Sequence, residues 1–160
     1  MDRINRILVH PLFKKNMEAN AIKEKGRIFC RHNMNHSLDV ARIAYILNLE
    51  EEQQIPKDMI YSAALLHDIG RHVQYETGEK HAVVSAGMAP EILRDCDFDE
   101  EEIAEISDAI YYHGYKNQLG KRGLKALIAR ADQMSRACFS CQAIEDCKWS
   151  EERKNHQIEW

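Results

Sequence analysis

The chain has 160 residues, of which 44% are hydrophobic and 30% are charged, and its formal net charge is −4. This length and composition are typical of one globular domain that can bury its own core. The small acidic excess excludes a chain-wide attraction to nucleic acid or to an anionic membrane, so any phosphate-handling surface must be local.

The chain opens with MDRINRILVHPLF, whose apolar run stops at His10 and Pro11. This run is too short for the hydrophobic region of a signal peptide or for a membrane span. The five cysteines are odd in number and follow no export signal. We therefore expect a cytoplasmic protein with reduced thiols and no membrane partner.

Hydrophobic periodicity predicts helices along the chain and no convincing strand, so the expected fold class is all-α, with one domain over residues 1–160. The predicted helices cover residues 11–22 and onward toward 30, then 36–49, 56–70, 81–93, 100–113 and 124–139. Their starts are marked by Pro11, by Asn33 or Asn35, by Pro56, and by Asp97 or Asp99. Glycine-bearing loops are predicted at 75–80 and 114–123, and a short helical tail that contains cysteines at 137–160.

Five of these helices carry a metal-ligand type on the face that should be buried. In chain order the residues are His36, His67 with the adjacent Asp68, His81, His113 and Asp132. Any one histidine is more often a hydrogen-bonded core residue, and Asp68 alone could cap or pair at a helix end. Ionised groups in an apolar setting need partners, however, and five such helices together favour a metal ion.

Four imidazoles and two carboxylates suit zinc, manganese or iron. Six protein ligands exceed the need of one catalytic ion that keeps positions open for water and substrate. We therefore predict two divalent ions with Asp68 as a bridge. Such a pair can activate water and neutralise charge on phosphate oxygens, which indicates phosphoester or phosphoanhydride hydrolysis.

The combination of His36, the HDIG motif at 67–70 and Asp132 within ARADQ resembles the HD-domain superfamily of metal-dependent phosphohydrolases. The resemblance covers residues 33–136. It implies a helical bundle around the site and metal binding by the matching residues. His81 in KHAVVSAGMA and His113 in IYYHG match the subset with a binuclear centre.

Within that subset the chain is most similar to the bacterial symmetrical bis(5'-nucleosyl)-tetraphosphatases. The resemblance implies hydrolysis of diadenosine tetraphosphate and a centre that often contains iron. Gly114 stands where those enzymes commonly have threonine, and Arg71 where they often have lysine. The HD-GYP cyclic dinucleotide phosphodiesterases share the ligand arrangement, but this chain lacks their GYP-bearing signature.

A compact phosphorylated nucleotide is the expected partner, because the acidic surface offers no long track for a polymer. Asp68 and Arg71 are predicted to be catalytic. The cations predicted to bind substrate are Arg71, Lys116, Lys121, Arg122 and Arg136. Those in the loop at 114–123 could equally form a solvated turn. The tyrosines at 111, 112 and 115 could stack on a base or pack in the core. A homodimer is also compatible with the sequence.

Three other functions use overlapping residues. A mononuclear nucleotidase would need only His36, His67, Asp68 and Asp132. A mixed-valence di-iron oxygenase could use the whole ligand set and would consume oxygen, whereas a hydrolase releases phosphate products anaerobically. A metal-binding sensor without turnover is the third.

Cys138, Cys141 and Cys147 follow a CxxC pattern with one further cysteine. A structural zinc site requires four ligands, and the fourth would have to be His156, Cys30 or Cys96. We interpret the three as ordinary reduced cysteines.

Overall fold

The computed structural model describes residues 2–115 and 121–160. Within these ranges the chain forms α-helices and two short 3-10 turns, without a strand, which confirms the predicted all-α fold. The helices are α1 (Asp2–Val9), α2 (Pro11–Lys23), α3 (Met34–Glu50), α4 (Lys57–Leu66), α5 (Arg71–Thr77), α6 (His81–Asp95), α7 (Glu100–Tyr112) and α8 (Leu124–Met134). The 3-10 turns are Cys138–Ser140 and Glu151–Arg153.

Helix α4 lies at the centre of the bundle and contacts α1, α3, α6, α7 and α8. Its sequence, KDMIYSAALL, is small and apolar from Ser62 onward, and Ile60 and Leu66 are fully buried. A helix that is apolar on all sides is stable only inside a core. His67 and Asp68 follow α4 directly, so this helix carries them into the middle of the protein.

The turn after α4 packs closely against α6. The Gly70 amide donates a hydrogen bond to Ser85 Oγ at 2.9 Å. A Cβ atom on Gly70 would lie 2.7 Å from Val84 Cγ1 and 2.9 Å from the Ser85 backbone nitrogen. Glycine is required here by close approach, because only hydrogen fits between the turn and the helix.

Capping hydrogen bonds show which of the two candidate residues begins each of two helices. Asn33, and not Asn35, caps α3 by accepting a hydrogen bond from the His36 amide at 3.1 Å. Asp99 caps α7 and forms a capping box with Glu102. Each cap satisfies a free amide of the first helical turn.

Helix α1 was not predicted, and its eight residues are too few to be stable alone. Tertiary contacts hold it: Ile4 and Ile7 are buried, and Arg3 pairs with Asp58 and Glu102.

Four predicted boundaries were wrong. The helix predicted over 56–70 ends at Leu66, and residues 71–77 form a separate helix, α5, that was not predicted. Helix α2 ends at Lys23 and does not continue toward residue 30. The predicted loop at 75–80 is helical up to Thr77, where Gly78 ends α5 in the left-handed conformation. Helix α8 stops at Met134 instead of residue 139.

The end of α8 is held by a residue from the tail. The Asn155 side-chain amide lies 2.8 Å from the carbonyl of Gln133, 3.2 Å from that of Met134 and 2.8 Å from that of Arg136. It supplies the hydrogen bonds that the next helical turn would give to these carbonyls.

Among the described residues, no helix combines the length and apolar character that a bilayer crossing would need.

Candidate metal centre

The six predicted metal ligands converge from five parts of the bundle. His36 lies in the first turn of α3, and His81 begins α6. Their ligand atoms form two groups, each within 4.8 Å: one of His36, His67, Asp68 and Asp132, and one of Asp68, His81 and His113. The structure therefore brings all six together, while their binding of metal stays a prediction.

Asp68 belongs to both groups through different oxygens. Its Oδ2 lies 3.0 Å from His67 Nε2 and 3.4 Å from His36 Nε2. Its Oδ1 lies 3.1 Å from His81 Nε2. A carboxylate with one oxygen facing each group could supply a ligand atom to both groups.

All four imidazoles are held through Nδ1, which leaves Nε2 facing the centre. The partners of Nδ1 are Ser135 Oγ for His36 (3.2 Å), the Ala64 carbonyl for His67 (2.7 Å), Gln74 Oε1 for His81 (2.6 Å) and the Ile110 carbonyl for His113 (2.6 Å). Ser135 itself donates to the Asp132 carbonyl, so it accepts from His36. Metal-binding histidines typically have such a hydrogen-bonded second nitrogen, and this donor set fits a divalent ion.

Charge at the centre is balanced by His67. Burial by itself lowers the pKa of His67, but the carboxylates of Asp68 and Asp132 raise it to about 10. Burial and the nearby His67 lower the pKa of His113 to about 4. The pKa of Asp68 stays well below its ordinary value despite burial, because His67 lies beside it. In the metal-free protein at neutral pH, His67 is therefore charged and His113 is neutral.

We expect metal binding to release a proton from His67. Because its pKa of about 10 keeps it protonated in the metal-free protein, an ion must displace that proton, so metal affinity should rise as pH rises. The expected increase is roughly tenfold per pH unit below that pKa for one displaced proton. Calorimetric titration in two buffers of different ionisation enthalpy counts the proton. An affinity that does not change with pH would contradict this assignment.

A cavity of about 450 Å³ borders the centre. Four of the predicted metal ligands line it: Asp68, His81, His113 and Asp132. Its wall carries two aromatic residues, Phe29 and Trp149. It also carries five cations: Arg27, Arg71, Arg136, Lys148 and Arg153. Such a wall suits an anionic ligand with an apolar portion.

Arg71, predicted to be catalytic, lies at this cavity. Its Nη1 lies 2.5 Å and 3.2 Å from the two ring nitrogens of His81. Its Nη2 donates to His32 Nε2 at 2.7 Å. Arg71 therefore contacts one predicted metal ligand directly and is oriented by a second histidine.

His32 belongs to a buried polar network that the sequence did not reveal. Its Nδ1 bonds to Glu24, which also accepts from the Tyr75 hydroxyl at 2.7 Å. Burial raises the pKa of Glu24, but the hydrogen bonds of His32 to this carboxylate lower it to about 2. The resulting chain of contacts, Tyr75 to Glu24 to His32 to Arg71, fixes the guanidinium in place.

Arg136 is buried beside the first ligand group. Its Nη2 lies 3.0 Å from Asp132 Oδ1 and 3.0 Å from His36 Nε2. Despite burial, Arg136 and His36 keep the pKa of Asp132 well below its ordinary value. Arg136 is thus placed to hold Asp132 in its charged form.

Of the substrate-binding cations predicted in the loop at 114–123, those that the structure describes lie away from the centre. Lys116 lies outside the described residues. Lys121 and Arg122 border a separate surface depression near Asp108 and Tyr112. The Arg122 Nη2 donates to the Glu51 carbonyl at 2.7 Å, which fastens this end of the loop to the end of α3.

The tyrosines at 111, 112 and 115 pack on one another. The rings of Tyr111 and Tyr115 are stacked, with centroids 5.9 Å apart and planes 18° from parallel. The Tyr112 ring lies against both. The rings pack on one another at the surface and not in the core, since Tyr111 and Tyr112 are half-buried and Tyr115 is exposed. Their stacking on a base stays a prediction.

The tail provides the cavity residues that the sequence analysis missed. Lys148, Trp149 and Arg153 all lie on the cavity wall, and the Arg153 guanidinium carbon lies 4.3 Å from the centre of the Trp149 ring. The run KWSEER, with an aromatic residue between cations, is the signal that could have found them.

The chain is similar to several known proteins. The family model of the HD domain matches residues 33–137. An uncharacterized protein of Clostridium beijerinckii is 43% identical over 158 residues, with 99% of both chains covered. Ribonuclease Y 1 of Pediococcus pentosaceus is 31% identical over 104 residues, which cover 65% of this chain but 18% of that protein.

Two further relatives have similar size. The Bacillus subtilis protein named "Putative phosphohydrolase YueE" is 28% identical over 142 residues, covering 80% of this chain and 73% of that one. The crystal structure of a "predicted HD superfamily hydrolase" from an uncultured Thermotogales bacterium has a TM-score of 0.66 at 23% identity, over 91% of this chain and 80% of that chain. This last likeness shows the fold. Because the HD domain model matches well over half of the length of this chain, the chain belongs to the HD domain family.

Proposed function

We propose that the protein is a phosphohydrolase that uses two divalent metal ions. The observation that supports this is the position of Asp68, whose Oδ1 faces His81 and whose Oδ2 faces His67 and His36. The nitrogen and carboxylate donors suit iron, manganese or zinc. When bound, the ions would supply an activated water and stabilise charge on phosphate oxygens.

The protein's own groups would orient the substrate. Asp68 contacts histidines of both ligand groups. Arg71 lies on the cavity wall, where its hydrogen bond to His32 fixes the guanidinium. Lys148 and Arg153 offer further positive charge on the same wall, with Trp149 between them in the sequence. A phosphate group bound by these cations would lie beside the metal ligands.

Two alternatives are less well supported by this arrangement. A mononuclear nucleotidase would leave His81 and His113 without a role, although both turn Nε2 toward the centre, 3.1 Å apart. A di-iron oxygenase could use all six ligands, but the five cations of the cavity wall favour a phosphorylated substrate.

The proposed substrate is a compact phosphorylated nucleotide. A cavity of about 450 Å³ is within the size range of small-molecule sites. The resemblance to the symmetrical tetraphosphatases makes diadenosine tetraphosphate the first candidate, cut into two molecules of adenosine diphosphate. The names of the ribonuclease Y relatives make a short RNA the second, although this chain spans less than a fifth of the one from Pediococcus.

The test is product analysis with purified protein loaded with iron, manganese or zinc. We expect diadenosine tetraphosphate to give adenosine diphosphate alone, without oxygen consumption. Hydrolysis of nucleoside monophosphates alone would exclude the tetraphosphatase and retain the phosphohydrolase. Cleavage of an oligoribonucleotide alone would indicate a nuclease. Oxygen consumption without phosphate products would overturn the proposal.

Replacing Arg71 with alanine should raise KM by about 10- to 100-fold and leave bound metal unchanged, because the lost contacts are charge-assisted bonds to phosphate. Steady-state kinetics and elemental analysis measure both quantities. Lys121→Ala is the matched control, since Lys121 lies at a separate depression and should keep the original KM. Loss of metal from Arg71→Ala would instead show that its contact with His81 supports the metal site.

A further inference from the structure

The tail after α8 brings three cysteines to the cavity region. The first 3-10 turn runs from Cys138, and the Cys141 amide donates to the Cys138 carbonyl at 3.1 Å. A second turn follows, in which the Cys147 amide donates to the Ile144 carbonyl at 3.2 Å. The backbone between these cysteines is thus a series of tight turns, with little regular structure to fix it.

A fourth cysteine reaches the same place from the other end of the chain. Cys30 lies in the segment between α2 and α3, and it lines the cavity together with Cys138 and Cys147. Burial raises the pKa of the Cys30 thiol, and the nearby Cys138 and Cys141 raise it further. Three cysteines from two distant segments, Cys30, Cys138 and Cys147, therefore share one wall, and Cys141 lies near Cys30.

The other residues that could have joined them lie elsewhere. Cys96 is buried in the hydrophobic core at the end of α6. His156 is exposed and lies 3.4 Å from Glu151. Of the three possible fourth ligands in the sequence, the structure thus selects Cys30.

We propose that Cys30, Cys138, Cys141 and Cys147 bind an iron–sulfur cluster through their four thiolates. A single zinc ion has Zn–S distances of about 2.3 Å, so it would draw the four sulfurs to within about 4 Å of one another. In the described residues, no three cysteine sulfurs gather within 4.8 Å. Three of these cysteines instead border open cavity space, which suits a larger group with several metal atoms.

The surrounding charge suits four thiolates. Arg136 lies close enough to Cys30 to favour its thiolate form, opposing the effect of burial. Arg27 donates from Nε to the Cys30 carbonyl at 2.8 Å and lies on the same wall, as does Lys148, which follows Cys147. These cations would offset the negative charge of a thiolate-bound cluster.

A cluster here would connect the tail to the segment before α3. Lys148 and Trp149 directly follow Cys147, so their place on the cavity wall would depend on the cluster. This is a second metal site, separate in its ligands from the histidine and aspartate centre, and it gives the tail a fixed position beside that centre.

The test is acid-labile sulfide in the full-length protein, purified anaerobically and, in parallel, reconstituted with ferrous iron and sulfide. We expect iron with labile sulfide, together with a visible charge-transfer absorption band. Cys141→Ser should lose most of the sulfide, whereas Cys96→Ser is the matched control and should keep it. Circular dichroism checks that both variants retain their helices.

Labile sulfide tests this proposal independently of the proposed hydrolase activity. Asp68→Ala should retain labile sulfide, because Asp68 is not among the four thiolate ligands. The absence of labile sulfide from both preparations would overturn the proposal. So would one zinc ion per chain that is lost in Cys141→Ser, since it would assign the thiolates to zinc.

Discussion

Asp68→Ala should reduce hydrolysis by at least about a thousandfold and remove most of the bound metal, because this carboxylate faces both ligand groups. The remaining ligands of each group would face an ion with less negative charge to balance it. Elemental analysis and steady-state kinetics give the two readouts. Metal should also cease to raise the melting temperature, since that increase requires binding to the folded state.

Asp39→Ala is the control for this variant. Asp39 lies on α3 with its side chain about half exposed, and it forms a surface ion pair with Arg42 at 3.5 Å. It belongs to neither ligand group. It should retain both metal and turnover. Full activity of Asp68→Ala with stoichiometric metal would show that the carboxylate is not a ligand.

Gly70→Ala should lower the free energy of unfolding by about 1–3 kcal/mol, as overpacking against a fixed neighbour does. The added Cβ would lie 2.9 Å from the Ser85 backbone nitrogen, and a backbone atom cannot move away as a side chain can. Denaturant unfolding of the metal-free protein measures the loss. Because the turn also carries Asp68, metal affinity should fall as well.

Gly87 provides a matched control in the same helix as Ser85. A Cβ at this position meets no atom within 4 Å, and the residue lies inside α6. Gly87→Ala should therefore leave stability unchanged or raise it by up to about 1 kcal/mol, since alanine favours helix. Equal stabilities for the two variants would exclude the close-approach explanation for Gly70.

The predicted metal ligands could be found from sequence because each interrupts an apolar helical face. His36, for example, lies at the start of α3, whose other buried residues are mostly aliphatic, and His113 follows α7, whose buried residues are all aliphatic. Such periodicity depends on neighbours in the chain, so it can be read without knowing the fold. The same reasoning located most helices, and it missed α1, which depends on distant partners such as Asp58 and Glu102.

The cavity wall could not be predicted in the same way. Lys121 and Arg122 are close to His113 in sequence, yet Gln53 and Glu51 hold this end of the loop at the far end of α3. Trp149, by contrast, is distant from the ligands in sequence and lies on the wall. Proximity to the centre here is set by tertiary hydrogen bonds, which leave no periodic signal in the sequence.

The ligand groups join elements that span most of the chain, from α3 to α8. Each ion would therefore act as a cross-link between remote segments, closing loops that an unfolded chain would leave open. Two such crosslinks would share Asp68, which lies just after the central helix. Chelation should then loosen α3, α6 and α8 together as one cooperative unit, so that fraying would spread outward from the middle of the bundle and not inward from its surface.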